Sequence, residues 1–295
     1  MARIALKVDV DTLRGTREGV PRLLQVLQSH GVAATFLFSL GPDHTGWALK
    51  RVFRPGFLSK VSRTSVTKHY GVKTLMYGVL LPAPDIGRAA ATEMRAAQRA
   101  GHECGIHTWD HVVWQDHVRQ RDAAWTRAQM ALSWARFNDI FGMPPATHGA
   151  AGWQMNSAAF RQLDEWQLAY ASDGRGAAPY RLSIDGHALR HVQMPTTLPT
   201  LDELIGTDGI DESNVARSLL ALTERDTDQV YTLHAELEGG LLAPAFDALL
   251  AGWKAQGHEL VTMGGMARHI DAGTLPVHAL RWGSVSGRSG ELIVS

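Results

Sequence analysis

The sequence predicts an α/β protein, an irregular barrel of about seven or eight β/α units, and three observations point to it. Strand-like and helix-like segments alternate almost throughout the 295 residues, the pattern of a parallel sheet with helical crossovers. The length and a hydrophobic content of 45% suit one large domain with a well-buried core, or two smaller ones. Side chains that can move a proton or bind a metal recur where strands should end, the rim on which such a barrel carries its reactive groups. An open, doubly wound sheet is the competing architecture.

RIALKVDVDT alternates and is rich in apolar residues, so it reads as the first strand. Thr16 can cap a helix over about 17–30 that closes on Gly31. AATFLFSL is the second strand. GRAAATEMRAAQRAG reads as an Ala-rich helix ending at Gly101, HECGIHT as the third strand and DAAWTRAQMALSWARFNDIFG as the helix after it. PATHGAAG reads as a short fourth strand and turn, NSAAFRQLDEW as a helix, LAYASDG as a fifth strand and ALRHVQMPTT as a sixth. ESNVARSLLALTE and APAFDALLAGWKAQG are helices flanking a seventh strand, QVYTLHAE, and HELVTMGGM is the last strand. Residues 1–275 make the catalytic domain, and the Ser/Gly-rich stretch GSVSGRSGE marks 276–295 as a mobile C-terminal tail.

Lys plus Arg equal Asp plus Glu at 29 each, so net charge favours no particular partner. Cys104 is the one cysteine, which rules out an intrachain disulfide and suits a reducing compartment. The start, MARIALKVDVD, meets an acid by Asp9, with no long apolar stretch and no small-residue cleavage site before it. No run approaches the roughly 18 apolar residues of a membrane span. The expectation is a cytoplasmic chain whose contact with a membrane is peripheral.

One segment breaks the alternation. His44 to Pro84 contains no Asp or Glu, but it holds Lys50, Arg51, Arg54, Lys60, Arg63, Lys68 and Lys73 among aromatic and aliphatic residues. It is either a large loop packed on the core or an interfacial insert after strand two. In the second case its apolar groups enter a bilayer surface while Lys and Arg meet anionic headgroups. Nucleic acid fits less well, because the aromatics are mixed with many aliphatics, and none is expected as a partner.

Strand one ends in Asp9 and Asp11, strand three in His107, strand four near His148, strand five in Asp173 and strand seven in His234. If a turn or helix begins after Thr108, His107 and His111 fall on one face, as residues four apart do. Alone, that spacing is a weak signal in a chain with 14 histidines. VDVD adds weight, because residues two apart on a strand share a face. One of Asp9 and Asp11 can complete a two-histidine, one-carboxylate set for a divalent ion, and the other can lie beside it as a base.

VDVD, HTWDH and the TLH of VYTLH resemble three motifs of the polysaccharide deacetylase (NodB-homology) family. The resemblance implies an irregular (β/α) barrel that uses a divalent metal to hydrolyse N-acyl groups on sugars. It assigns Asp9 as catalytic base, Asp11, His107 and His111 as metal ligands, and His234 as the acid. The ion is Zn, Mn, Co or Fe. The family's aspartates are usually adjacent, whereas Val10 separates them here. The arginine that usually opens the third motif is missing from PPATHGAAGW, and SDGRG replaces the tryptophan-bearing fourth motif. Arg175 is the candidate to replace that arginine beside Asp9, and Asp173 the candidate to orient His234.

Within the family, VDVDTLRGTREGVP, HTWDHVVWQ, THGAAGWQMN and VYTLHAELEGG resemble the branch of deformylases acting on polyprenyl phosphate-linked formamido-arabinose. That resemblance, from about residue 3 to 270, implies a lipid-linked substrate at the cytoplasmic face of the inner membrane and a role in lipid A modification and polymyxin resistance. It agrees with an anionic membrane surface as partner for 44–84. Arg14 and Arg17, just after the aspartates, are candidates for the substrate phosphate. His148 and Glu236 are candidates for the sugar. Two alternatives stay open: a deacetylase of another N-acyl sugar, such as a cell-wall or chitin-type oligosaccharide, and a lipid-phosphate binding protein with a vestigial metal site.

Overall fold

The computed structural model describes residues 2–52 and 70–295, with the backbone alone at 49–52. β1 (Arg3–Val10) is buried on both faces, as a strand between helices and a barrel interior must be. Its alternation separates two tasks. Ile4, Leu6, Val8 and Val10 join the apolar layer beneath the helices, where Leu23 and Leu27 of the helix Val20–Ser29 meet them. The odd positions, Lys7 and Asp9, fall on the opposite face.

β2 (Thr35–Ser39) pairs in parallel with Lys7–Val10 of β1, and β3 (Glu103–Thr108) adds beyond β2. β7 (Gln229–His234) runs along the other edge of β1, in a register that sets His234 beside Asp9. β8 (Glu259–Val261) pairs with Arg3–Ala5. A second sheet has the order β4–β6–β5–β9, formed by β4 (Tyr170–Ala171), β6 (His187–Gln193), β5 (Tyr180–Ile184) and β9 (Val277–Ala279).

Irregular backbone joins the sheets. Ile106 N donates to Thr147 O, Gly149 N to Ile106 O and Ser172 N to His148 O, so residues 147–149 link β3 to the end of β4. On the far side Thr197 N and Leu198 N, in the continuation of β6, donate to Val230 O of β7. Backbone pairing therefore passes from sheet to sheet on both sides, in the irregular barrel-like arrangement that the alternation predicted. Buried Leu37 fills the room left by two glycines. A Cβ on Gly105 would lie 2.8 Å from Leu37 Cδ2, and one on Gly149 would lie 2.3 Å from Leu37 Cδ1. Both positions admit only glycine without displacement.

Several elements differ from expectation. PATHGAAG supplies one bridge, Ile106 to His148, rather than a strand, because Gly152 at φ +59° turns the chain at once. An unexpected strand, β5, forms an antiparallel hairpin with β6. Its turn residues Asp185 and Gly186 have φ of 51° and 80°, the conformation a two-residue hairpin loop requires. Thr16 does not cap a helix: its hydroxyl donates to Thr12 O within a short π-helical turn, Gly15–Gly19, before the α-helix begins at Val20. The Ala-rich helix is broken at Ala90 (φ −134°) into Ile86–Ala89 and Ala91–Arg99.

The expected mobile tail is instead paired into the fold. β9 lies on β5, and β10 (Trp282–Ser284) forms a hairpin with β11 (Glu291–Ile293). Ile293 is fully buried with Trp114, Phe160 and Tyr180, and Arg175 N donates to Ile293 O. The strands are too short to show an alternation. In the insert, Thr45–Val52 and Val72–Met76 are helical, and Val72, Val79 and Leu80 are exposed. The expectations for 53–69 and for the side chains of Lys50 and Arg51 lie outside the described residues. Among the described residues no helix is long and apolar enough to cross a membrane.

Replacing Ile293 by Ala should lower unfolding free energy by about 2–4 kcal/mol, the cost of a core cavity. Urea unfolding measures it, and a free tail would give no change.

Candidate active site

Asp11 follows the end of β1, His107 lies in β3 and His111 opens the helix His111–His117. Asp110 caps that helix, accepting from Val113 N at 3.1 Å. The two histidines therefore approach across a strand-to-helix junction, not on one helical face as the spacing alone suggested. Asp11 Oδ1 lies 3.2 Å from His107 Nε2, and Asp11 Oδ2 lies 3.4 Å from His111 Nε2. One ligand atom from each of the three residues falls within 4.8 Å of the others.

This donor set fits a divalent cation. His107 Nδ1 lies 2.6 Å from Gly149 O. A carbonyl can only accept, so the ring's Nδ1 carries hydrogen, and once the other nitrogen gives up its proton the Nε2 lone pair faces the Asp11 carboxylate. Two acceptors in buried contact need a positive charge between them. Burial alone would raise the Asp11 pKa, but His111 and His107 hold it well below the ordinary carboxylate value. Burial alone would lower the His107 pKa, yet Asp9 and Asp11 hold it up.

Asp9 Oδ1, Asp11 Oδ1 and His234 Nδ1 are buried without hydrogen-bond partners among the described residues. All three residues line one cavity of about 260 Å³, together with Thr45, Tyr70, Leu75, Trp153, Asp202 and Arg288. Unpartnered polar atoms converging on one open cavity mark it as the place where a ligand is received.

A family model described as polysaccharide deacetylase matches residues 3–171. A probable 4-deoxy-4-formamido-L-arabinose-phosphoundecaprenol deformylase, ArnD, from Shewanella sediminis is 36% identical over 99% of this chain and 94% of its own. The chain belongs to the polysaccharide deacetylase family. It is thus an amide hydrolase acting on carbon–nitrogen bonds. The protein of the same name from Wigglesworthia glossinidia brevipalpis is 28% identical over 94% of this chain and 96% of its own. Similar folds occur in a polysaccharide deacetylase-like chain from Mycobacterium smegmatis (TM-score 0.64, 18% identity, 96% of this chain and 95% of that one). A probable polysaccharide deacetylase from Pseudomonas aeruginosa PAO1 gives a TM-score of 0.59 at 17% identity, covering 91% of each chain.

For a polysaccharide deacetylase lacking the third-motif arginine, the group beside Asp9 decides how that carboxylate is held. It is Lys7, which sequence reasoning missed. Lys7 is fully buried, with Nζ 3.4 Å from Asp9 Oδ2 and donating to Ser172 O at 3.2 Å. Its ammonium also lies 5.5 Å from the Trp153 ring centre. Gly149 makes the room: a Cβ there would stand 2.9 Å from Lys7 Cε. The signal was available in KVD, since a lysine two residues before an inward carboxylate shares its face.

The remaining candidates are placed otherwise. Arg175 reaches Glu203 Oε1 (2.5 Å) and Leu198 O, not Asp9. Asp173 holds His148 Nδ1 at 2.6 Å and accepts from Gln193, so it orients His148, not His234. Neither His148 nor Asp173 lines the cavity. Arg14 pairs with Glu18 and Arg17 donates to Ala89 O, both outside the cavity lining. Glu236 Oε1 accepts from Asp11 N, Thr12 N and the Thr12 hydroxyl. It therefore pins the turn that carries Asp11. Burial, then the Asp11 charge, pushes its carboxyl well above the ordinary range. Glu238 was not anticipated. It accepts from His234 N at 2.9 Å and from the Tyr231 hydroxyl at 2.9 Å, and burial pushes its pKa up to about 7. Cys104 is a buried strand residue whose thiol is pushed up to about 12, first by burial and then by Glu103.

Lys7→Met should lower kcat about 10- to 100-fold while metal stoichiometry stays at the wild-type value, read by steady-state kinetics and elemental analysis. Glu238, raised from 4.5 to about 7, contributes stability that is complete below about pH 4.5 and lost as pH rises through about 7. Glu238→Gln should flatten that decline, up to about 3 kcal/mol, in urea unfolding at a series of pH values.

Proposed function

We propose that the protein is a metal-dependent deformylase. It removes the N-formyl group from 4-deoxy-4-formamido-L-arabinose linked to a polyprenyl phosphate, releasing formate and leaving the 4-amino sugar on its lipid. The near full-length likeness to the Shewanella deformylase carries this reading. The amino sugar then serves lipid A modification and polymyxin resistance, at the cytoplasmic face of the inner membrane. Exposed Val72, Val79 and Leu80 near the cavity-lining Tyr70 and Leu75 support peripheral contact with an anionic bilayer through 44–84.

Asp11, His107 and His111 hold the ion, which is Zn, Mn, Co or Fe. A divalent ion in such a set supplies Lewis acidity, polarising the formyl oxygen and making water more acidic. Asp9, kept in place by Lys7, takes the proton from the attacking water. His234, its backbone N–H tied to Glu238, gives a proton to the sugar nitrogen as the carbon–nitrogen bond breaks. Without that proton the leaving group is an amide anion, too basic to depart. Gly149 O keeps His107 in the tautomer that ligates through Nε2.

Incubating metal-loaded protein with the lipid-linked formamido sugar should give a product lighter by one formyl group, with formate released, by mass spectrometry. His107→Ala should abolish both turnover and metal retention, whereas Asp9→Asn should abolish turnover and keep the metal. Cleavage of a simple N-acetyl sugar with no deformylation would replace this reading with a deacetylase.

A further inference from the structure

Among the described residues lining the cavity, Arg288 is the only lysine or arginine, against the carboxylates of Asp9, Asp11 and Asp202. It comes from the turn between β10 and β11, in the segment expected to be a tail. The turn is built for close approach. Gly287 has φ +82°, and a Cβ on it would lie 2.9 Å from Glu203 O. Arg288 Nε donates to Glu203 Oε1 at 2.6 Å, and Nη2 donates to the Thr200 hydroxyl at 3.2 Å and lies 3.4 Å from Asp202 Oδ2. Its guanidinium carbon stands 4.8 Å from the Trp153 ring centre. Arg175 packs on the same ring at 4.9 Å and shares the Glu203 oxygen.

These contacts fix the guanidinium through Nε and Nη2. Among the described residues nothing takes the two N–H groups of Nη1. A rigid guanidinium with one open edge loses little freedom when it receives an oxyanion, and it matches phosphate geometry. Arg14 and Arg17, the phosphate candidates from sequence, lie outside the cavity lining. We propose that Arg288 is the phosphate-recognising residue of this cavity, taking an anionic phosphodiester oxygen of the lipid-linked sugar on its Nη1 edge. This rests on the deformylase reading for its substrate. It makes the C-terminal hairpin part of the specificity apparatus.

The test compares two substrates on the metal-loaded full chain: the formamido sugar on a polyprenyl phosphate, and its methyl glycoside, which has no phosphate. Arg288→Met should shrink the preference in kcat/KM for the phosphate-bearing substrate by about 10- to 100-fold, mainly through KM. Gly287→Ala, which displaces the turn but keeps the arginine, should shrink it in the same sense. An unchanged preference, whether both activities fall together or neither falls, overturns the proposal. If the wild type hydrolyses neither sugar, the deformylase reading fails, and calorimetric titration with farnesyl phosphate then decides on Arg288. Weaker binding by Arg288→Met supports a phosphate site, and equal binding overturns it.

Discussion

The inward face of β1 carries charge where a barrel interior would ordinarily be filled by branched apolar residues. Lys7, Asp9 and Asp11 follow one another at intervals of two, and each commits a neighbour. Lys7 needs a carboxylate and a carbonyl within reach, since a buried ammonium left alone would be very costly. Asp11 needs the two imidazoles. Both demands meet at Gly149, whose carbonyl holds His107 and whose missing side chain leaves space for the lysine stem. The regular strand pairing of β3 stops nearby, and a single bridge takes its place.

Trp153 shows what this arrangement costs. Its φ of 53° is unfavourable for a bulky side chain, typically by about 1–3 kcal/mol. The indole N–H donates to the Thr196 hydroxyl, and the ring serves Lys7, Arg175 and Arg288 as a common π surface. One aromatic ring thus serves three cations, two of which also share the Glu203 carboxylate while Asp9 lies beside the third. A strained residue in contact with Lys7, Arg175 and Arg288 points to a backbone set by these contacts rather than by local propensity.

The long helices and the buried parallel strands were legible because their periodicities are sustained; β1, β2, β3 and β7 fall within a few residues of expectation. Asp9, Asp11, His107, His111 and His234 were legible because strand ends concentrate reactive side chains and the family motifs mark them. Lys7 was hidden by its own strand, where a lone lysine between apolar residues reads as an outward polar position. The β5–β6 hairpin had its signal in Asp185-Gly186, but the helix-and-strand alternation on either side drew the reading toward parallel crossovers. Asp173 and Arg175 were assigned to the wrong partners because a sequence orders residues along the chain and says nothing about which strand end faces which. The hairpin of 282–293 was illegible because three-residue strands have no period, and because glycines that look like flexibility are here the means of close approach.

The pairing of β1 with β7 has a kinetic side. The backbone N–H of Asp11 is held by a carboxylate 225 residues further along the chain. Asp11, His107 and His111, the proposed metal set, come from just after β1, from β3 and from the start of the helix after it, but the turn that carries Asp11 is pinned by Glu236. Glu236, His234 and Glu238 arrive only when β7 closes a very long loop, a slow event for any chain because its entropy is lost before the contacts form. The geometry around Asp11 is therefore completed late in folding, together with the strand that brings His234 beside Asp9.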